Sequence, residues 1–153
     1  MSVGQREKDT QKRVIKLFVQ ELGYTYLGDF TERKDSNIEV ELLTKFLTRK
    51  GYSPVLINRA LKELQDAAGD QSVNLYDLNE QTYKKLRYGI KASESTGQHK
   101  ITVQFVDWKH PLENDFYIAE EVTIKQKRPD LVLYINGIAF AVIELKRSTV
   151  SMS

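Results

Sequence analysis

Two apolar runs rich in β-branched and aromatic residues, Leu131 to Ile135 and Ile138 to Leu145, flank the pair Asn136-Gly137. Asn-Gly is the dipeptide that best tolerates the positive φ angles of a type I′ turn, so this stretch predicts an antiparallel hairpin. Into it the chain places Asp130, at the start of the first strand, and Glu144 and Lys146, near the end of the second. In an antiparallel pair the start of one strand lies beside the end of the next. Residues two apart on a strand share a face, so Glu144 and Lys146 point one way and Leu145 the other. Two carboxylates and an ammonium are thus expected at the hairpin's mouth. Burying charge is costly unless it is paired or bound to a metal. Two hard oxygen ligands suit Mg²⁺, which keeps water and phosphate oxygens in its remaining positions. Lys146 is then placed to hold a phosphate or orient an attacking water. Taken singly, an Asp after Pro is an ordinary turn residue and a charged run an ordinary solvated face. It is the combination across one apolar hairpin that points to chemistry.

Pro129-Asp130 followed by Glu144-Leu145-Lys146 resembles the PD-(D/E)xK motif of metal-dependent nucleases. The longer string Arg128 to Lys146 resembles the endonuclease domain of the R subunit of type I restriction-modification enzymes. So do Gln11-x-Arg13-Val14, Leu22-Gly23-Tyr24-x-Tyr26-Leu27-Gly28 and Asp107-Trp108-x-x-Pro111-x-x-Asn114-Asp115-Phe116. The resemblance covers nearly the whole chain. It implies an α/β (α+β) fold with a restriction-endonuclease-like core, a mixed β-sheet flanked by helices, and an N-terminal helical region. It also implies a site in which Asp130, Glu144 and the backbone carbonyl of Leu145 hold one or two Mg²⁺ ions, with Mn²⁺ as a substitute. Asp130, Glu144 and Lys146 are its catalytic residues. The implied partners are double-stranded DNA and the modification and specificity subunits, and the implied substrate is unmodified foreign DNA. Nucleases of this type often draw a further acidic ligand from the first helix. Glu7, Asp9 and Glu21 are the acids there, Gln11 is neutral, and spacing singles out none of them. Family members usually continue into a helix with a Gln-x-x-x-Tyr element, so the chain is expected to be truncated at its C-terminus.

The length of 153 residues fits a single domain with one sizeable core. Residues 1–90 read as mainly helical, and residues 91–153 as the sheet with its catalytic hairpin. A formal net charge of +2 is too small to announce a nucleic-acid binder, so any DNA footprint must be local. The local candidates are Lys125, Lys127 and Arg128 directly before Asp130, with Arg147 after the motif. Such residues position a duplex through its phosphates without reading sequence. The chain has no cysteine, which excludes disulfides and thiolate metal sites and fits a cytoplasmic setting. It shows no membrane-length apolar run and no signal peptide. It also lacks a glycine-rich phosphate loop, so an ATP-driven motor would reside elsewhere in the parent protein.

Periodicity predicts a helix from Asp9 or Thr10 to about Leu22, closed by Gly23, and a short extended piece over Tyr24 to Asp29. Further helices are expected over Ile38 to Lys50, from Ser53-Pro54 onward, and over Leu75 to Leu86. Gly51 between two helices admits a helix-turn-helix offering Asn58, Arg59 and Lys62 to DNA, but a packed helical hairpin is the favoured reading. His99 to Val106 and Phe116 to Lys125 are expected strands, and Trp108 is expected to pack inside. The competing function is a catalytically inert, nuclease-like module for DNA docking or subunit assembly, its charged trio a structural ion pair.

Overall fold

The computed structural model describes residues 3–33, 37–69, 72, 74–124 and 126–146. In chain order the elements are α1 (Val3–Gln20), β1 (Thr25–Asp29), α2 (Val40–Arg49), α3 (Pro54–Gly69) and α4 (Leu75–Tyr88). They are followed by β2 (Ile90–Ala92), β3 (Ile101–Val103), a short 3-10 turn (Pro111–Glu113), β4 (Phe116–Glu120), β5 (Leu131–Ile135) and β6 (Ile138–Ile143). The chain divides into two units, Met1–Glu39 with Asp115–Ser153, and Val40–Asn114.

The first unit holds a four-stranded sheet in the order β1-β4-β5-β6. β1 runs parallel to β4, while β4, β5 and β6 are successively antiparallel, so the sheet is mixed as expected. Its strands form because their residues are β-branched or aromatic and alternate in exposure. Along β6 the odd positions Ala141 and Ile143 are partly covered, and Phe140 and Val142 are open to solvent. Helix α1 covers one face of this sheet. Val14, Ile15 and Phe18, spaced three and four apart, pack on Ile118, Leu131 and Leu133. The helix ends where Gly23 takes a φ of +75°, letting Tyr24 N–H donate back to Phe18 O at 2.9 Å. Tyr24 then meets Phe18 edge to face, with ring centroids 4.9 Å apart.

The Asn136-Gly137 turn forms as its sequence predicts, with φ of +53° and +93°. It does more than reverse the chain. Asn136 is fully buried, its N–H donates to Asp115 O, and its Oδ1 accepts from Asp115 N–H, each at 2.7 Å. On the other side, Glu39 N–H donates to Gly137 O at 2.7 Å and Ala139 N–H to Asn37 O at 2.9 Å. Asn136→Ala should therefore destabilise the first unit by about 2–5 kcal/mol. The sum combines about 1–2 kcal/mol for a left-handed Ala with about 1–3 kcal/mol for a stranded N–H. Urea denaturation checks this, and Asn136→Gly should recover only the backbone share. Equal losses for both variants would show that left-handed strain plays no part.

The second unit is helical with a small sheet. Helix α3 packs against α2, α4 and β2. Its core comprises Leu43, Phe46 and Leu47 of α2 together with Leu56, Ile57, Ala60, Leu61 and Leu64 of α3. Ser53 Oγ accepts from Leu56 N–H at 3.4 Å and Pro54 occupies the first helical position. Asn74 Oδ1 accepts from Asp77 N–H at 3.0 Å, capping α4.

Two strands are shorter than expected. Only Ile101–Val103 of the predicted His99 to Val106 strand pairs, with β2, while Phe105 is fully buried beyond the ladder. β4 stops at Glu120 because Glu121 adopts a φ of +56°, which breaks the ladder and turns the fully buried Val122 inward.

Candidate functional site

Strand register gathers acidic residues at one end of the four-stranded sheet. Asp29 pairs with Glu120, Glu120 with Leu131, and Leu131 with Ile143. Asp29 and Glu120 close β1 and β4, Asp130 directly precedes β5, and Glu144 directly follows β6. Neighbouring strands lie about 4.8 Å apart, so the backbone positions that carry these acids adjoin one another.

Each of these carboxylates has a different environment. Asp130 Oδ2 accepts the Leu145 N–H at 2.6 Å, which closes the hairpin's mouth and holds the carboxylate against the Glu-Leu-Lys segment. Glu144 and Lys146, on either side of Leu145 in sequence, are both exposed, while Leu145 is partly covered. The alternation expected for this segment is present. Glu120 is held from two directions: Gln11 Nε2 donates to its Oε2 at 2.7 Å, and the Tyr26 hydroxyl donates to its Oε1. Burial, reinforced by the hydrogen bond to Glu120, pushes the Tyr26 hydroxyl far above its ordinary pKa, so it remains a donor. Asp29 accepts from the hydroxyl of Thr31 and, at 2.8 Å, from its N–H. These bonds, with Arg128 and Lys8 nearby, hold its carboxyl below the usual range.

Sequence reasoning missed Glu120, Tyr26 and Asp29. A Glu120-Glu121 doublet closing a strand was the available signal, but its partner Gln11 lies 109 residues away in the chain. Of the first-helix residues considered, Gln11 is buried and reaches the sheet's acidic end; Asp9 is exposed. Among the described residues, no three His, Cys, Asp or Glu side chains come together in a metal-holding group.

The basic residues before Asp130 separate in role. Arg128 Nε lies 3.3 Å from Glu121 Oε2, so its charge is paired with a carboxylate. Lys127 is exposed in a tight turn that it closes with Ile124, through reciprocal backbone bonds of 2.8 and 2.9 Å. Lys125 and Arg147 lie outside the described residues.

In the second unit, Arg59 donates to Ser93 O, which ties one of the three helix-turn-helix candidates to a loop carbonyl. His99 and His110 are both exposed. Trp108 corrects an expectation. It is 47% exposed rather than packed inside, because its loop is fixed by polar bonds instead of by burial. Asp107 Oδ1 accepts from the N–H groups of Lys109 and His110 at 3.1 and 2.8 Å, while Oδ2 bonds Lys50 Nζ at 2.8 Å. The Lys50 hydrogen bond and then the His110 N–H lower the Asp107 pKa to about 2.

No described helix is long and apolar enough to cross a membrane. No solved structure matches the chain. A Methanocaldococcus jannaschii protein named as a type I restriction enzyme endonuclease subunit is 26% identical over 145 residues, an alignment covering 84% of this chain. The chain spans only 14% of that relative's length. The family model for the type I restriction enzyme R protein N terminus matches residues 4–153, a span that includes helix α1 and the Asp130 hairpin. With nearly its entire length matched, the chain belongs to the family of type I restriction enzyme R protein N-terminal regions.

Proposed function

We propose that this chain carries the metal-dependent endonuclease site of a type I restriction enzyme R subunit. In this reading Asp130 and Glu144 bind one or two Mg²⁺ ions, and Lys146 attends the scissile phosphate of double-stranded DNA. The observation that carries it is the Asp130 carboxylate, fixed 2.6 Å from the N–H of Leu145, the residue that separates Glu144 from Lys146 in sequence. The donor set fits the ion. It is all oxygen, it offers two carboxylates, and the chain has no cysteine to favour a softer metal. The backbone carbonyl of Leu145 is the further ligand that the resemblance to metal-dependent nucleases implies.

When bound, the metal would lower the pKa of a coordinated water and neutralise charge on the phosphoryl oxygens. The chain's residues do the rest. The Leu145 N–H holds Asp130 in one orientation, and Glu144 and Lys146 project into solvent where a DNA backbone can approach. Lys146 stabilises the anionic transition state or guides the nucleophile. Lys127 is available for phosphate contacts, whereas Arg128 mainly orders its own turn through Glu121. Cleavage in the parent complex would also call on an ATP-driven motor and on the modification and specificity subunits, in the cytoplasm.

Calorimetric titration of the chain with Mn²⁺ or Mg²⁺ tests the site without needing turnover. Saturable binding is expected, and it should be lost in Asp130→Ala. Binding that survives this substitution in a folded chain, or no binding at all, favours the inert docking or assembly module.

A further inference from the structure

The second unit contains a cleft of about 680 Å³ whose walls combine aromatic rings and cations. Trp108, Tyr88, Arg87, Gln104, Lys50 and Lys109 all line it. Its volume falls within the range of small-molecule sites, roughly 300–1,000 Å³. We propose that this cleft binds an unpaired nucleotide, its base stacked on the Trp108–Arg87 pair and its phosphate held by Lys109 and Arg87. The proposal does not depend on the Asp130 site, with which it shares no residue.

Trp108 is the reason to look here. Its indole N–H donates to Leu86 O at 3.1 Å, which sets the ring's orientation from its polar edge. The Arg87 guanidinium lies 4.9 Å from the Trp108 ring and 5.9 Å from the Tyr88 ring. Trp108 and Tyr88 are nevertheless 47% and 68% exposed, so much of both rings remains available to a ligand. A fixed, half-open indole with a guanidinium over one part of its ring is a surface on which an unstacked base can stack, because every base presents a π-face.

Charge and polarity narrow the occupant. Three cations line the cleft, and its one carboxylate, Asp107, already bonds Lys50 at 2.8 Å. The remaining charge is positive, which suits a phosphorylated ligand better than an apolar side chain from another protein. Gln104 contributes a polar wall. Its Nε2 donates to Tyr88 O at 3.3 Å, while its Oε1 is buried without a hydrogen-bond partner among the described residues. Duplex DNA keeps its bases stacked and cannot offer a ring to Trp108. A single-stranded segment or a free nucleotide can.

Trp108 is the chain's single tryptophan, so its fluorescence reports on the cleft directly. The chain should be titrated with dAMP, with a single-stranded oligonucleotide of roughly ten nucleotides, and with the matching duplex. Saturable quenching by the oligonucleotide alone identifies single-stranded DNA as the source, and quenching by dAMP as well identifies a free nucleotide; either supports the proposal. Anisotropy of a labelled oligonucleotide should show affinity falling about tenfold or more in Trp108→Leu, since stacking on one aromatic is worth that much. Lys109→Gln changes an exposed residue and should weaken binding with a shallower salt dependence. The proposal is overturned if neither dAMP nor the single strand quenches Trp108, or if the duplex quenches as strongly. It is overturned equally if folded Trp108→Leu keeps its affinity. Should Trp108→Leu fail to fold, unchanged affinity in Lys109→Gln has the same consequence.

Discussion

Replacing Asp130 by asparagine should, on the proposed function, reduce DNA cleavage by the assembled parent complex about a thousandfold or more, with the chain still folded. The size follows from the role proposed for the residue. A metal ligand contributes several kcal/mol to charge stabilisation in the transition state, and about 1.4 kcal/mol corresponds to a factor of ten in rate. Asparagine rather than alanine is the informative choice. Asp130 Oδ2 accepts the Leu145 N–H at 2.6 Å, so alanine would remove a structural bond together with the charge. Asparagine keeps an acceptor for that N–H and removes only the negative charge. The measurement is initial cleavage rate of plasmid DNA, with a thermal melt of the isolated chain alongside. Near-native cleavage by Asp130→Asn would show that the carboxylate is a fastener for the hairpin and nothing more. Glu144→Gln is the companion variant, because the exposed Glu144 side chain has little structural work to lose.

The second large effect concerns stability. Gly89 follows α4 with φ +75° and ψ −175°, a conformation essentially restricted to glycine. A Cβ added there would stand 2.6 Å from the Val103 carbonyl oxygen and 2.9 Å from Thr102 Cγ2. The oxygen belongs to backbone that is committed to the ladder in which Ile90 pairs with Val103, so it cannot withdraw without breaking β2 from β3. Gly89→Ala should cost about 3 kcal/mol or more, of which the backbone conformation alone accounts for about 1–3 kcal/mol. For a chain of this size about 1 kcal/mol shifts the melting temperature by roughly 2–4 °C, so a drop of about 6–12 °C is expected by calorimetry. A melting temperature within a degree or two of the parent would mean that the β2–β3 ribbon yields freely. Because Tyr88 and Gln104 flank this contact in sequence, the variant should also weaken the nucleotide cleft.

The hairpin was legible in the sequence because every level of information there agrees. Asn136-Gly137 demands the turn, the flanking residues demand strands, and the charges sit where an antiparallel pair brings its ends together. The helices were legible for similar local reasons, through Ser53-Pro54, Gly23 and the spacing of Val14, Ile15 and Phe18, although α1 begins at Val3 rather than at the expected Asp9 or Thr10. What sequence could not supply was pairing between distant segments. Nothing local in Thr25 to Asp29 indicates that it lies parallel to β4, and so nothing local joins Asp29 and Glu120 to the Asp130 end of the sheet. Gln11 looked uninformative as a neutral residue, yet neutrality is what suits it to donate to Glu120. Trp108 was misread because an aromatic residue is more often packed than displayed. The bonds that display it, from Asp107 and Leu86, depend on loop conformation rather than on periodicity.

Glu39 and Asp115, the residues at which the backbone leaves the sheet unit and returns to it, are hydrogen-bonded to Gly137 and Asn136 of the same reverse turn. The chain between them thus leaves and re-enters the sheet unit at a clasp whose two ends are already joined in space. Closing a longer or shorter excursion between fixed ends changes chain entropy only logarithmically with its length. The closure entropy of that stretch therefore changes little when it is lengthened or shortened, which makes the clasp a natural grafting point for inserted segments.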